Sequence, residues 1–215
     1  MTDRRERLAA ARIYLICPDQ DDGFLEAALR GGVDIVQLRM KNANAAAVAQ
    51  AGKRFRRITS RHGALLMIND RPDLVQELDA DGAHVGQEDM PVAQARQIVG
   101  ADRLLGLSTH TEAQVDSVRH ADVDYIGVGP VYETPTKAGR PAVGLELVRY
   151  AARRARIPFF AIGGISPANL AAVRQAGARR IAVVRALTSA NDPEQVARQM
   201  RHLLLEPREE TVGAT

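Results

Sequence analysis

The chain has 215 residues, 46% hydrophobic and 26% charged, a balance that points to one globular domain and excludes a collagen-like or wholly disordered protein. Its net charge is +3, with 29 basic residues spread along the chain and no concentrated face or stacking aromatics of the kind a nucleic-acid binder uses. No apolar run approaches the roughly 20 residues of a membrane span, and the charged start lacks a signal peptide's apolar centre, so a cytoplasmic location is expected.

Short β-branched or aliphatic runs alternate with longer Ala-rich stretches of helical spacing. Strands are expected at 12–17, 34–40, 64–69, 82–86, 104–109, 125–130, 159–164 and 180–185. Between and after them, helices are expected near 22–31, 44–61, 71–79, 91–99, 111–121, 144–155, 167–176 and 192–205. Pro91, Pro167 and Pro193 occupy first-turn positions. Ser166 and Asp192 are candidate N-caps, and Gly31, Gly63, Gly100 and Gly177 candidate stops. With aromatics at 4% and no Trp, the core should be mostly Ala, Val, Ile and Leu. Cys17, the only cysteine, can form no internal disulfide.

Strict strand–helix alternation implies parallel strands with helical crossovers, and eight units suggest an α/β fold closed as a single-domain (β/α)8 TIM barrel. A doubly wound open sheet is the rival, but 127–132 (GVGPVY) lacks the third glycine of a dinucleotide fingerprint and opens no helix. Residues 1–11 read as an N-terminal extension, 12–205 as the barrel and 206–215 as a polar tail.

In such a barrel, chemistry belongs at the C-terminal ends of the strands. After strand two come Gln37, Arg39 and Lys41, whose spacing of two aims them at one side, where a planar fork and a point charge suit a diphosphate. Asp70 and Asp89 leave neighbouring strands three and four. Each alone reads as a helix cap; together, beside a basic strand end, they suit Mg2+ completed by phosphate oxygens and water. Glu88 is expected to face away. Ser108 and Thr109 end strand five, where a hydroxyl and backbone N–H groups can seat phosphate. His110 is expected to anchor a loop rather than exchange protons, and His84 to be a satisfied interior group. The long segment after strand six carries Thr134, Thr136 and Lys137, which could close over an anion or simply form a surface loop. Gly163 and Gly164 after strand seven, with Val184 and Arg185 after strand eight, match the position of the recurrent phosphate cradle. No strong nucleophile or acid–base pair stands out, and departure of a metal-bound diphosphate needs none.

The segments 37–41 (QLRMK), 68–71 (INDR), 82–89 (GAHVGQED), 106–110 (GLSTH), 124–137 (DYIGVGPVYETPTK) and 160–165 (FAIGGI) together resemble the thiamine-phosphate synthase family, in order and over nearly the whole chain. The resemblance implies a Mg2+-dependent transferase that joins hydroxymethylpyrimidine diphosphate to thiazole phosphate, giving thiamine phosphate and pyrophosphate through a pyrimidine carbocation. Carried over by position, Gln37, Leu38, Arg39, Met40, Lys41, Asn69, Ser108 and Lys137 would bind the pyrimidine diphosphate, with Arg39, Lys41, Ser108 and Lys137 acting on the leaving group. Asp70 and Asp89 would hold Mg2+. Thr134, Pro135, Thr136, Gly164 and the Val184–Arg185 backbone would receive the thiazole phosphate. Many relatives have a small Ser where Arg185 stands. The partners implied are small molecules, without nucleic acid or membrane; an assembly of identical copies is compatible with this reading. Two rivals share the scaffold: a thiazole tautomerase with His110 as proton shuttle, and a non-catalytic regulator, which would not keep both carboxylates.

Overall fold

The structure, a computed structural model, describes residues 3–134 and 141–206. Eight parallel strands close into a barrel in sequence order. They are β1 (Ile13–Cys17), β2 (Ile35–Leu38), β3 (Leu65–Asn69), β4 (Gly82–Val85), β5 (Leu104–Thr109), β6 (Tyr125–Val128), β7 (Phe159–Ile162) and β8 (Ile181–Val183). β8 pairs with β1 through Ile13↔Ile181, Tyr14↔Ala182 and Leu15↔Val183, which completes the ring. The closed topology excludes the open-sheet rival.

Helices α1 (Arg4–Ala10), α2 (Asp22–Arg30), α3 (Ala45–Arg61), α4 (Val92–Val99), α5 (Glu112–Ser117), α6 (Gly144–Arg154), α7 (Leu170–Gln175), α8 (Arg185–Thr188) and α9 (Pro193–Leu205) surround the barrel or cover its ends. Local chemistry sets many of their starts. Asp21, Asn44, Thr111 and Asp192 each accept a backbone N–H of the following first turn. Gly31 works differently from a left-handed stop: its φ is −70°, and an added Cβ would lie 2.5 Å from the Glu194 carbonyl of α9. It is a point of close helix approach. No helix among the described residues is long and apolar enough to cross a membrane.

Alternation along the strands sorts side chains into two cores. Outward residues such as Leu15, Val36, Leu66 and Ile126 pack beneath the helices with the buried thiol of Cys17. Inward residues fill the barrel, where Tyr14, Tyr125 and Phe160 meet edge-to-face at centroid separations of 5.3–5.8 Å. The aliphatic core expected from composition therefore describes the outer layer, while the inner layer concentrates aromatics.

Two helix expectations are corrected. The 71–79 stretch is one 3-10 turn, Pro72–Leu74, followed by backbone turns that already bury Leu74, Val75 and Leu78. Asp79, at φ 46°, then reverses the chain into β4. Ser166 is not a cap; Asn169 organises the start of α7, accepting from Ser166 N and donating to the Gly164 carbonyl. The N-terminal segment forms α1, whose Leu8 joins Ala11 in the inner core at the base of the barrel.

The base is held by a repeated carboxylate clamp. Asp34, Asp81 and Asp124 precede β2, β4 and β6, and each accepts strand backbone N–H groups while pairing with arginines. Asp81 is 3% exposed and takes Leu66 N, Arg56 and Arg4. Asp81→Ala should cost about 3 kcal/mol, because Leu66 N–H and Arg56 lose a buried partner. Denaturant unfolding checks this, with a loss below about 0.5 kcal/mol showing the clamp to be incidental.

Candidate active site

Inward positions at the C-terminal strand ends open into a cavity of about 380 Å3. Its polar lining includes Gln37 and Arg39 beyond β2, Asn69 at the end of β3, His84 on β4 and Ser108 on β5. Thr134, Gly164, Val184 and Arg185 come from the loops after β6, β7 and β8. Each was singled out in the sequence.

The run after β2 divides by alternation. Gln37 and Arg39 face the cavity, and Arg39 N bonds to the Cys17 carbonyl at 2.8 Å, fixing the strand exit. The Leu38 side chain packs in the outer core, and Met40 lies against that layer, so only their backbones are turned to the mouth. Lys41 is exposed, near enough to Asp70 to hold its carboxyl down electrostatically. Pro135, Thr136 and Lys137 lie outside the described residues.

Asp70 and Asp89 do come together. Their carboxyl groups share a hydrogen-bond contact; Asn69 Nδ2 donates to Asp70 Oδ2 at 2.6 Å, and Gly86 N to Asp89 Oδ2 at 2.8 Å. Neither side chain caps a helix: α4 has no side-chain cap, nor does the turn after Asp70. Burial, then the hydrogen bond to Asp89 and its charge, push the Asp70 carboxyl up to about 6 against the pull of Lys41 and Asn69. Asp70 also holds φ at +57°, which aims its side chain at a backbone cost. Among the described residues no three His, Cys, Asp or Glu side chains form a metal cluster. Two carboxylates brought together, with no third carboxylate, His or Cys among the described residues, fit a hard divalent cation that keeps waters and substrate oxygens, as Mg2+ does.

Charge at the mouth contrasts with charge at the base. Arginines below are paired with carboxylates, whereas Arg39, Lys41 and Arg185 make no ion pair with a described residue. Across the cavity, Gly163 and Gly164 hold φ at +105° and +65°. An added Cβ would lie 2.5 Å from Pro130 Cα at the first and 2.7 Å from Tyr132 Cβ at the second, so glycine is required for this loop packing.

His110 lines the cavity, but its Nδ1 lies 2.5 Å from the Gly129 carbonyl and its backbone N donates to Gln114 Oε1. A carbonyl only accepts, so Nδ1 carries a proton and anchors the loop. His84 lies inside, bonded to Tyr125 and Ser108. Sequence reading missed Tyr14, Tyr125 and Phe160 in the cavity wall. Gln37 offered a signal, since once it faces inward the pairing Ile16↔Gln37 turns Tyr14 inward as well.

Fold and mouth define a (β/α)8 barrel whose strand ends bring two carboxylates together, with Lys41 near Asp70 and with Arg39 and Arg185 in the cavity wall. The sequence profile of the family described as thiamine monophosphate synthase matches residues 13–187, and the chain belongs to that family. It is 51% identical over 193 residues to a thiamine-phosphate synthase of Gloeobacter violaceus, covering 89% of this chain but 57% of that protein. A thiamine-phosphate synthase of Streptomyces avermitilis is 50% identical over 210 residues, covering 92% of this chain and 97% of that one. The chain thus spans little more than half of some relatives and nearly all of others. The solved thiamine phosphate pyrophosphorylase from Pyrococcus furiosus aligns with TM-score 0.84 at 30% identity, over 93% of this chain and 96% of that one.

Proposed function

We propose that the chain is a Mg2+-dependent transferase that joins hydroxymethylpyrimidine diphosphate to thiazole phosphate, yielding thiamine phosphate and pyrophosphate. The observation that carries this is the Asp70–Asp89 pair, with Lys41 near Asp70, at a mouth whose Arg39 and Arg185 make no ion pair with a described residue. A diphosphate with a divalent cation supplies both missing partners. Its diffusible substrates suit a cytoplasmic enzyme.

Asp70 and Asp89 would hold the cation, which when bound neutralises charge on the departing diphosphate. Arg39 offers a planar fork to the same oxygens, Lys41 a point charge, and Gln37, Asn69 and Ser108 neutral hydrogen-bonding groups. Lys137 is proposed to join them. The bond between the pyrimidine methylene carbon and the diphosphate oxygen breaks with its electron pair leaving on pyrophosphate. The thiazole nitrogen then donates its lone pair to that carbon. Thr134, Pro135, Thr136 and the backbone at Gly164, Val184 and Arg185 would hold the thiazole phosphate, on the opposite side of the mouth.

This sequence of steps needs no base. His110→Asn should therefore keep turnover within about tenfold, against the 10²–10⁴-fold contribution typical of general acid–base catalysis. A thousand-fold loss with folding intact would favour proton transfer and the tautomerase reading. The proposal itself is tested by mixing the purified protein with both substrates and Mg2+. Pyrophosphate and thiamine phosphate should appear in equal amounts; no pyrophosphate with both substrates present would overturn the assignment.

A further inference from the structure

An unbroken chain of polar side chains crosses the interior of the barrel. Gln37 Nε2 donates to Tyr14 Oη at 2.5 Å, and Tyr14 Oη lies 2.8 Å from Tyr125 Oη. Tyr125 Oη lies 3.1 Å from His84 Nδ1, and His84 Nε2 lies 3.0 Å from Ser108 Oγ. Gln37, Tyr14 and Tyr125 are at most 1% exposed and His84 is 9% exposed, so water does not compete along most of the chain. Ser108, at the end, borders the cavity.

With the Gln37 amide nitrogen turned to Tyr14, the protons in this chain have one arrangement that satisfies all of them. The Gln37 amide nitrogen can only donate, and it occupies Tyr14 Oη. Burial holds both phenols above their ordinary titration range, so each keeps its single proton. The Tyr14 proton has Tyr125 Oη as its acceptor; turned the other way, it would be buried without one. Tyr125 then donates onward to His84 Nδ1, which must be bare. The ring proton resides on Nε2 and is donated to Ser108 Oγ. That leaves the Ser108 hydroxyl proton directed away from the ring.

We infer that this chain makes Ser108 a one-way hydrogen-bond donor into the cavity, aimed at an anionic oxygen of the pyrimidine diphosphate, with His84 as its positioning residue. The identity of the ligand rests on the transferase reading above; the direction of the protons does not. Gly106 reserves the space for the arrangement: an added Cβ would lie 2.1 Å from Tyr125 Cζ and 2.5 Å from His84 Nδ1. A reversed chain would instead present Ser108 as an acceptor, which suits an amino group and not a phosphate oxygen.

Nitrogen-15 NMR of the imidazole in ligand-free protein reads the tautomer directly. His84 should appear neutral with Nε2 protonated and Nδ1 bare, and Tyr125→Phe should release that preference. An Nδ1–H tautomer in the unaltered protein overturns the inference whether or not the protein turns over. Kinetics supplies the second arm. His84→Leu should lower kcat/KM for the pyrimidine diphosphate about 10–100-fold, the range for a residue that orients a direct ligand. His84→Gln, whose amide nitrogen replaces Nε2 as donor, should recover most of that loss. In a Ser108→Ala background, His84→Leu should change kcat/KM less than about twofold, because nothing remains to orient. An equal loss in both backgrounds would make His84 a packing residue and overturn the positioning role. Absence of turnover in the unaltered protein would remove the diphosphate as ligand, with the NMR result still deciding the direction.

Discussion

Asp89→Ala should fold and lose at least about a hundred-fold in turnover, Asp70→Ala should behave alike, and the double variant should be little worse than either. The magnitude follows from the several kcal/mol that a bound cation contributes to stabilising a departing diphosphate. Non-additivity follows from the shared site, since removing either carboxylate already forfeits the one ion. Near wild-type activity at limiting Mg2+ in either variant would remove the pair from the mechanism. A second measurement distinguishes a functional loss from a folding one. Without divalent cations, Asp89→Asn should melt higher than the unaltered protein at pH 7, because it removes the carboxylate that repels Asp70. The sign is opposite to that of a salt bridge. Asp70 is held up to about 6 against an ordinary 3.8, so between these values the folded chain retains a proton that the unfolded chain has released. Its contribution to stability is present below about pH 4 and is lost as pH rises towards 6. The Asn variant should weaken that dependence without abolishing it, because burial, the largest cause, remains.

Arg39→Ala should cost about 10²–10³-fold in kcat/KM for the pyrimidine diphosphate, with little effect on affinity for the thiazole phosphate. Arg39 borders the cavity, makes no ion pair with a described residue, and leaves a strand exit fixed by its own backbone N. A cation placed where negative charge grows during bond cleavage contributes most in the transition state. Arg39→Lys should restore only part of the loss, since an ammonium lacks the two parallel donors of the guanidinium. Steady-state kinetics with each substrate varied separately decides the matter: a loss confined to the thiazole phosphate KM would move Arg39 to the other half of the site.

Local pattern carried much of this into the sequence. The β-branched runs located every strand because a buried parallel strand is apolar along its whole length. Their boundaries ran long at β2, β6, β7 and β8, and past β8 the chain turns into α8 at Arg185. The helix expected at 71–79 failed because Pro72 and left-handed Asp79 restrict a connection whose apolar residues are buried by turns alone. At the site, Gln37, Arg39, Asn69 and Ser108 were legible because strand ends of a barrel converge. Leu38 and Met40 came in with the contiguous motif, and only alternation separates their side chains from those of Gln37 and Arg39. The Tyr14–Tyr125 contact joins residues 111 positions apart, and nothing local in either segment announces the other.

The closing pair of strands also sets a timetable for folding. Every other strand pairs with its neighbour in the chain, so β1 to β7 can assemble in order through comparatively short crossovers. β1 alone must wait for β8, with Ile13 meeting Ile181. Until residues 181–183 have been synthesised, the growing sheet has unpaired edges at β1 and β7, and such edges invite pairing with another chain. The long-range closure is entropically costly and correspondingly late. Val184 and Arg185 follow β8 directly and border the cavity, so the mouth is completed by the same event that removes the open edges. A chain halted before that point has both an exposed edge and an unfinished site.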